Sequence, residues 1–161
     1  MNTECTRIAS QLACVINGEA WYGNSVQEIL TGISAPQACA HPIPDAHSIW
    51  ELVCHLQAWV ELSCGAANGT PIPAWPGMRQ DMDWPVIKRR DESAWRETVD
   101  SFFASYRTLE KVINSFGDER MESTVPGRTY KFCRLFEGMI QHAIYHSGQI
   151  AILKKALTKS N

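Results

Sequence analysis

Tyr130-Lys-Phe-Cys-Arg-Leu-Phe-Glu-Gly-Met-Ile-Gln-His-Ala-Ile-Tyr-His-Ser-Gly-Gln-Ile-Ala-Ile-Leu-Lys-Lys155 has the repeat of a long amphipathic helix. At about 100° per residue, Leu135, Met139, His142, His146, Gln149 and Leu153 fall on one stripe, so two imidazoles point where the apolar side chains point. Two histidines one helical turn apart can present their ring nitrogens to a single ion, which is why this spacing recurs in zinc sites. The zinc-protease version needs a glutamate directly after the first histidine as general base. Ala143 stands there, which argues against such a protease. Taken alone the spacing is weak evidence, and two partly buried helix histidines bonded to water or backbone are the better reading of it.

A third histidine strengthens the metal reading. His55 shares an apolar face with Leu52, Trp59 and Leu62 in Ser48-Ile-Trp-Glu-Leu-Val-Cys-His-Leu-Gln-Ala-Trp-Val-Glu-Leu62. In a helix bundle the apolar faces converge on one core, and the acid near these stripes is Glu51. Three imidazoles buried there without partners would be costly, and an ion offsets that cost.

Further out, the same periodicity gives three more long helices. The first covers about Thr3 to Asn17, with Cys5, Ile8, Leu12 and Val15 in a stripe and Gly18 as its stop. A short helical piece follows over about Asn24 to Thr31. Ser34 to His47, with Pro36, Pro42 and Pro44, is expected to be a loop. The second long helix begins near Asp45 to Ser48 and runs to about Cys64. Between Asn68 and Pro85 four prolines forbid a regular helix. The third long helix, about Glu92 to Phe116, carries Trp95, Val99, Phe102, Tyr106, Leu109, Ile113 and Phe116 in three-four spacing. Gly117 to Lys131, with Pro126-Gly127, has strand or turn character. No βαβ alternation and no repeat is present, so the fold class is all-α: a four-helix bundle over residues 1–161, with a short extra helix and a long loop between helices 2 and 3.

A chain of 161 residues is the size of one domain and can bury about 70% of its unfolded surface, so neither disulfides nor a metal are needed for folding. A metal here would be functional. The net charge of −2 and the scattered basic residues exclude a nucleic-acid groove, and the short Lys88-Arg89-Arg90 run reads as a solvated face. Six cysteines without C-x-x-C spacing, and no secretory leader, lead to the expectation of a reduced, cytoplasmic protein. No apolar run approaches the ~20 residues needed to cross a membrane. Cys54 lies about 100° around the helix from His55 and reads as a small core or boundary residue.

Gly18-Glu-Ala-Trp-Tyr-Gly, Pro44-Asp-Ala-His-Ser-Ile-Trp-Glu-Leu-Val-Cys-His-Leu-Gln-Ala-Trp and Gln141-His-Ala-Ile-Tyr-His-Ser-Gly-Gln-Ile resemble, in this order, the DinB-like superfamily of metalloenzymes. The lone histidine of the second helix and the H-x-x-x-H followed by Gly-Gln-Ile are the most specific parts. The resemblance implies His55, His142 and His146 as ligands of a divalent metal, nickel or zinc, in a bundle that often forms a homodimer. It implies two chemistries on a small-molecule substrate, transfer or isomerisation with a low-molecular-weight thiol, or hydrolysis. Both use the open positions of a three-imidazole ion to make a nucleophile at neutral pH. A non-catalytic metal-binding or stress-response dimer is the alternative, kept open because no general base stands beside the ligands.

Two accessory residues are candidates for catalysis. Glu51, one turn before His55, is placed to act as a base or to orient a ligand, but Ser48-Ile-Trp-Glu51 also fits a capping box, the preferred reading. Gln149, two turns after His142, is placed to line the pocket or to bind a ligated water. His41 and His47 are expected at the surface. Trp75, Met78, Met82 and Trp84 on the long connection suggest a lid over the metal pocket. Finally, Phe136, Ile140, Ile144 and Ala151 make the last helix apolar on its far side too, which implies a second copy in a two-fold dimer or cover by the segment before the second helix.

Overall fold

The computed structural model describes residues 3–158. Helices α1 (Glu4–Asn17), α2 (Val26–Leu30), α3 (Ala35–Cys39), α4 (Ile49–Ala67), α5 (Gln80–Asp83), α6 (Glu92–Asn114) and α7 (Phe132–Thr158) follow one another, with a single 3-10 turn at Asp118–Arg120. The four long helices close a ring: α1 packs on α6, α6 on α4, α4 on α7 and α7 on α1. Their apolar stripes meet in one core that includes Ile8, Leu12, Trp50, Leu56, Phe102, Ile113, Phe136 and Ile150. This is the expected four-helix bundle, and no strand forms among the described residues.

The helix starts follow from their caps. Ser48 accepts from the Glu51 N–H at 3.3 Å while the Glu51 carboxylate accepts from the Ser48 N–H at 2.7 Å. Ser25 with Glu28 repeats this box before α2, and Asp91 accepts from the Ala94 N–H before α6. Each box satisfies backbone donors that a helix start leaves without partners.

Two expectations need correction, and a third resolves in part toward its alternative. The proline-rich segment after Ser34 holds a short helix, α3, because Pro36 falls in its first turn, where a missing N–H costs nothing, and Ser34 with Gln37 caps it. The long connection is interrupted by α5, since no proline lies between Pro76 and Pro85 and one turn fits there. On the far face of α7 the stated alternative to a second copy holds in part, since the face is largely covered within the chain and α2, in the segment before the second long helix, contributes to the cover. Phe136 packs against Phe116 and Phe132, Ile140 is buried, and α1 and α2 lie against the helix. What stays exposed is a strip farther along: Ile144, Tyr145 and Ile152.

The Gly117 to Lys131 segment is a tight turn with one antiparallel bridge, Thr124 to Lys131. Gly127 adopts φ 77°, and a Cβ there would lie 2.4 Å from the Ile72 carbonyl oxygen. Only glycine combines that backbone region with so close an approach. The Ile72 N–H donates to the Pro126 carbonyl at 2.9 Å, which pins the turn and its Arg128 and Tyr130 close to the end of α4.

Candidate metal centre

His55 stands on the core-facing stripe of α4, and His142 and His146 stand on that of α7, so the packing of these two helices brings the three rings together. Ring centroids are 4.8 Å apart for His55 and His142, 4.9 Å for His55 and His146, and 4.6 Å for the α7 pair, each pair edge-on. The potential donor nitrogens lie within 4.8 Å of one another, the convergence required to hold one ion. His55 Nε2 faces His142 Nε2 at 2.9 Å.

The outer nitrogens decide the protonation. His55 Nδ1 donates to the Asp83 backbone carbonyl at 2.7 Å, and the Asp83 carboxylate lies 3.3 Å away. A carbonyl can only accept, so Nδ1 carries the proton and the neutral ring keeps a lone pair on Nε2. Likewise His146 Nδ1 donates to Gln149 Oε1 at 2.6 Å, which frees its Nε2. Burial pushes His142 down to about 3, with the neighbouring His146 and His55 adding to the effect. Burial also lowers His55, against the opposing pull of Asp83, and lowers His146, against that of Gln149. All three imidazoles are thus neutral at pH 7, as ligation requires.

Such a donor set fits a divalent transition metal: nitrogen ligands from two rigid helices, two of them held in one tautomer by an outer acceptor. An open cavity of 410 Å³ adjoins the cluster, with His55, His142, Trp59, Asp83 and Arg134 in its walls. A purely structural ion would be enclosed on all sides.

The remaining sequence candidates separate. Glu51 caps α4, and its carboxylate also lies 3.7 Å from His47 and 3.9 Å from His41. Burial opposes its charge, but the Ser48 hydrogen bonds and the two histidines outweigh that, so Glu51 is held below its usual range. Gln149 is placed as an acceptor for His146. Cys54 lines a different cavity, between α4 and α6, and burial pushes its thiol up to about 11. Of the lid residues, Trp84 stacks on His55 at 4.0 Å and on His47 at 3.5 Å, forming a three-ring stack. Trp75 is 62% exposed and Met78 is buried in the core.

Sequence reasoning missed Asp83. Its carbonyl orients His55, and its carboxylate accepts from the Trp59 indole N–H at 2.7 Å. A backbone acceptor leaves no trace in residue type, and the one signal was the Asp83-Trp84-Pro85 stop that ends α5.

Bundle and site together define a helical protein with a three-histidine, metal-compatible centre. A model of the DinB superfamily matches residues 21–150, and the chain belongs to that superfamily. The match includes all three histidines. No curated protein and no solved structure matches the chain.

Proposed function

We propose that this protein is a metal-dependent enzyme that acts on a small molecule, with His55, His142 and His146 as ligands of one divalent ion, zinc or nickel. The observation that carries this reading is the convergence of three neutral imidazoles beside an open cavity. When bound, the ion supplies Lewis acidity that makes a thiol or a water nucleophilic at neutral pH. The chain's own residues do the positioning. Asp83 and Gln149 hold the tautomers of His55 and His146, and the Trp84 indole shields one face of His55 from water.

Of the two chemistries, thiol transfer is favoured. Asp83 is the acid in the cavity wall, and its carboxylate is engaged by Trp59 and His55. Glu51 is engaged as a cap. A thiol, with an ordinary pKa of about 8.5, needs far less help to ionise than water does. A site without a free carboxylate base therefore suits a low-molecular-weight thiol as co-substrate. The test is a screen of metal-loaded protein for thiol addition to small electrophiles, set beside ester and amide hydrolysis. Thiol-dependent turnover that disappears in His142→Ala supports the reading. Metal-loaded protein inert in both screens favours the non-catalytic alternative.

The exposed Ile144, Tyr145 and Ile152, within one arc of α7, support a two-fold dimer through that strip. Among the described residues no helix is long and apolar enough to cross a membrane. The six cysteines are all unpaired, which supports a reducing compartment such as the cytoplasm.

A further inference from the structure

We propose that the cavity beside the histidines takes a substrate bearing a carboxylate, and that Arg134 binds it. The inference rests on the proposed metal centre for the direction of the substrate but not for the charge preference. Arg134, Gly138 and His142 occupy successive turns on one face of α7, and all three line the cavity. Arg134 is exposed at the cavity and makes no ion pair or hydrogen bond with any described residue, so its guanidinium is available to a ligand. The acid lining this cavity, Asp83, is taken by Trp59 and His55 and does not neutralise Arg134.

A second cation reinforces the bias. The Arg128 guanidinium lies 5.9 Å from the ring centroid of Trp59, another wall residue, and its Nε and Nη2 are buried without partners. Buried, unpaired donors of a charged group are costly and call for an acceptor. Between Arg134 and His142, Gly138 leaves room: a Cβ built there meets no atom within 4 Å. The two flanking residues are about 12 Å apart along the helix axis. Trp59, Leu135 and Met139 offer apolar walls to the body of the ligand. Cation, gap and imidazole in a row fit a small acid lying along α7, with its carboxylate on the guanidinium and its reactive end at the histidines.

The test is calorimetric titration of zinc-loaded protein with phenylacetate and with its neutral isostere phenylacetamide, with metal content measured on the same samples. The acid is expected to bind about tenfold more tightly than the amide, and Arg134→Gln to bring the two within about twofold at unchanged metal content. Gly138→Leu is expected to abolish binding of both. A preference for the acid that survives Arg134→Gln but vanishes on chelation would put the carboxylate on the ion and overturn the assignment. So would the absence of binding by either compound at millimolar concentration. Protein that holds no zinc defeats the metal reading alone, because the acid-over-amide preference and its loss in Arg134→Gln can be read without metal.

Discussion

A buried imidazole stays neutral when burial disfavours its proton, and it is aimed when its other nitrogen has an acceptor. His55 and His146 have both, through the Asp83 carbonyl and Gln149. Removing such an outer acceptor from a ligating histidine lowers metal affinity by about 10–100-fold. Gln149→Leu should do so in competition with a chromophoric chelator, while Gln149→Glu, which still accepts, should stay near wild type. Equal affinity in Gln149→Leu would show that the contact orients nothing. The shifted histidines also set the pH response of the metal-free fold. Their folded values lie below the ordinary value of about 6.5, so the unfolded chain takes up protons first as pH falls. Stability present above about pH 6.5 is therefore lost progressively below it, down to about 3 for His142. Urea midpoints of chelator-treated protein should fall between pH 7 and pH 5.5, a window above the carboxylates, and fall less in His142→Leu. A flat wild-type profile would contradict the assignment of neutral, buried rings.

At the scale of elements, the periodic segments were legible before any coordinates because their three-four stripes and caps are local. α6 starts at Glu92 as expected, and its stripe from Trp95 to Phe116 lies in or against the core. The Ser48–Glu51 box was legible for the same reason, and it gives a test of Glu51. Ser48→Ala should destabilise the fold by about 1 kcal/mol in urea unfolding. Glu51→Gln keeps a residue that suits the box, so it should retain stability and turnover. A large loss of turnover in Glu51→Gln at full stability and metal content would restore Glu51 as a base. Trp84 was expected over the pocket and stacks on His55, but the roles of Asp83 and Arg134 could not be assigned from sequence. Where α5 sits on α4, and which way the connection to Pro85 turns, are set by tertiary packing that has no period. His47 is exposed, as expected, and only its stacking on Trp84 is a tertiary contact of this kind.

At the scale of the whole molecule, the ring of α1, α6, α4 and α7 explains why a lone histidine on one helix meets a pair on another 87 positions later. The two stripes were readable, but their meeting at one height along the bundle was not, because helix register depends on the connections. The family match over residues 21–150 includes the three histidines that the fold brings together. The exposed strip of α7 belongs to the same scale. Sedimentation should give twice the 18.1 kDa chain mass, and Ile144→Asp should shift it to the monomer. Wild-type protein that sediments as a monomer would remove the dimer.

The most direct test of the central claim is metal content by elemental mass spectrometry on untagged protein, for wild type, His55→Ala and His142→Ala. Near-stoichiometric divalent metal in the wild type, lost in both variants while they remain folded, is the predicted result. Wild-type protein that carries no metal and cannot be reconstituted, or variants that retain the full amount, would contradict it.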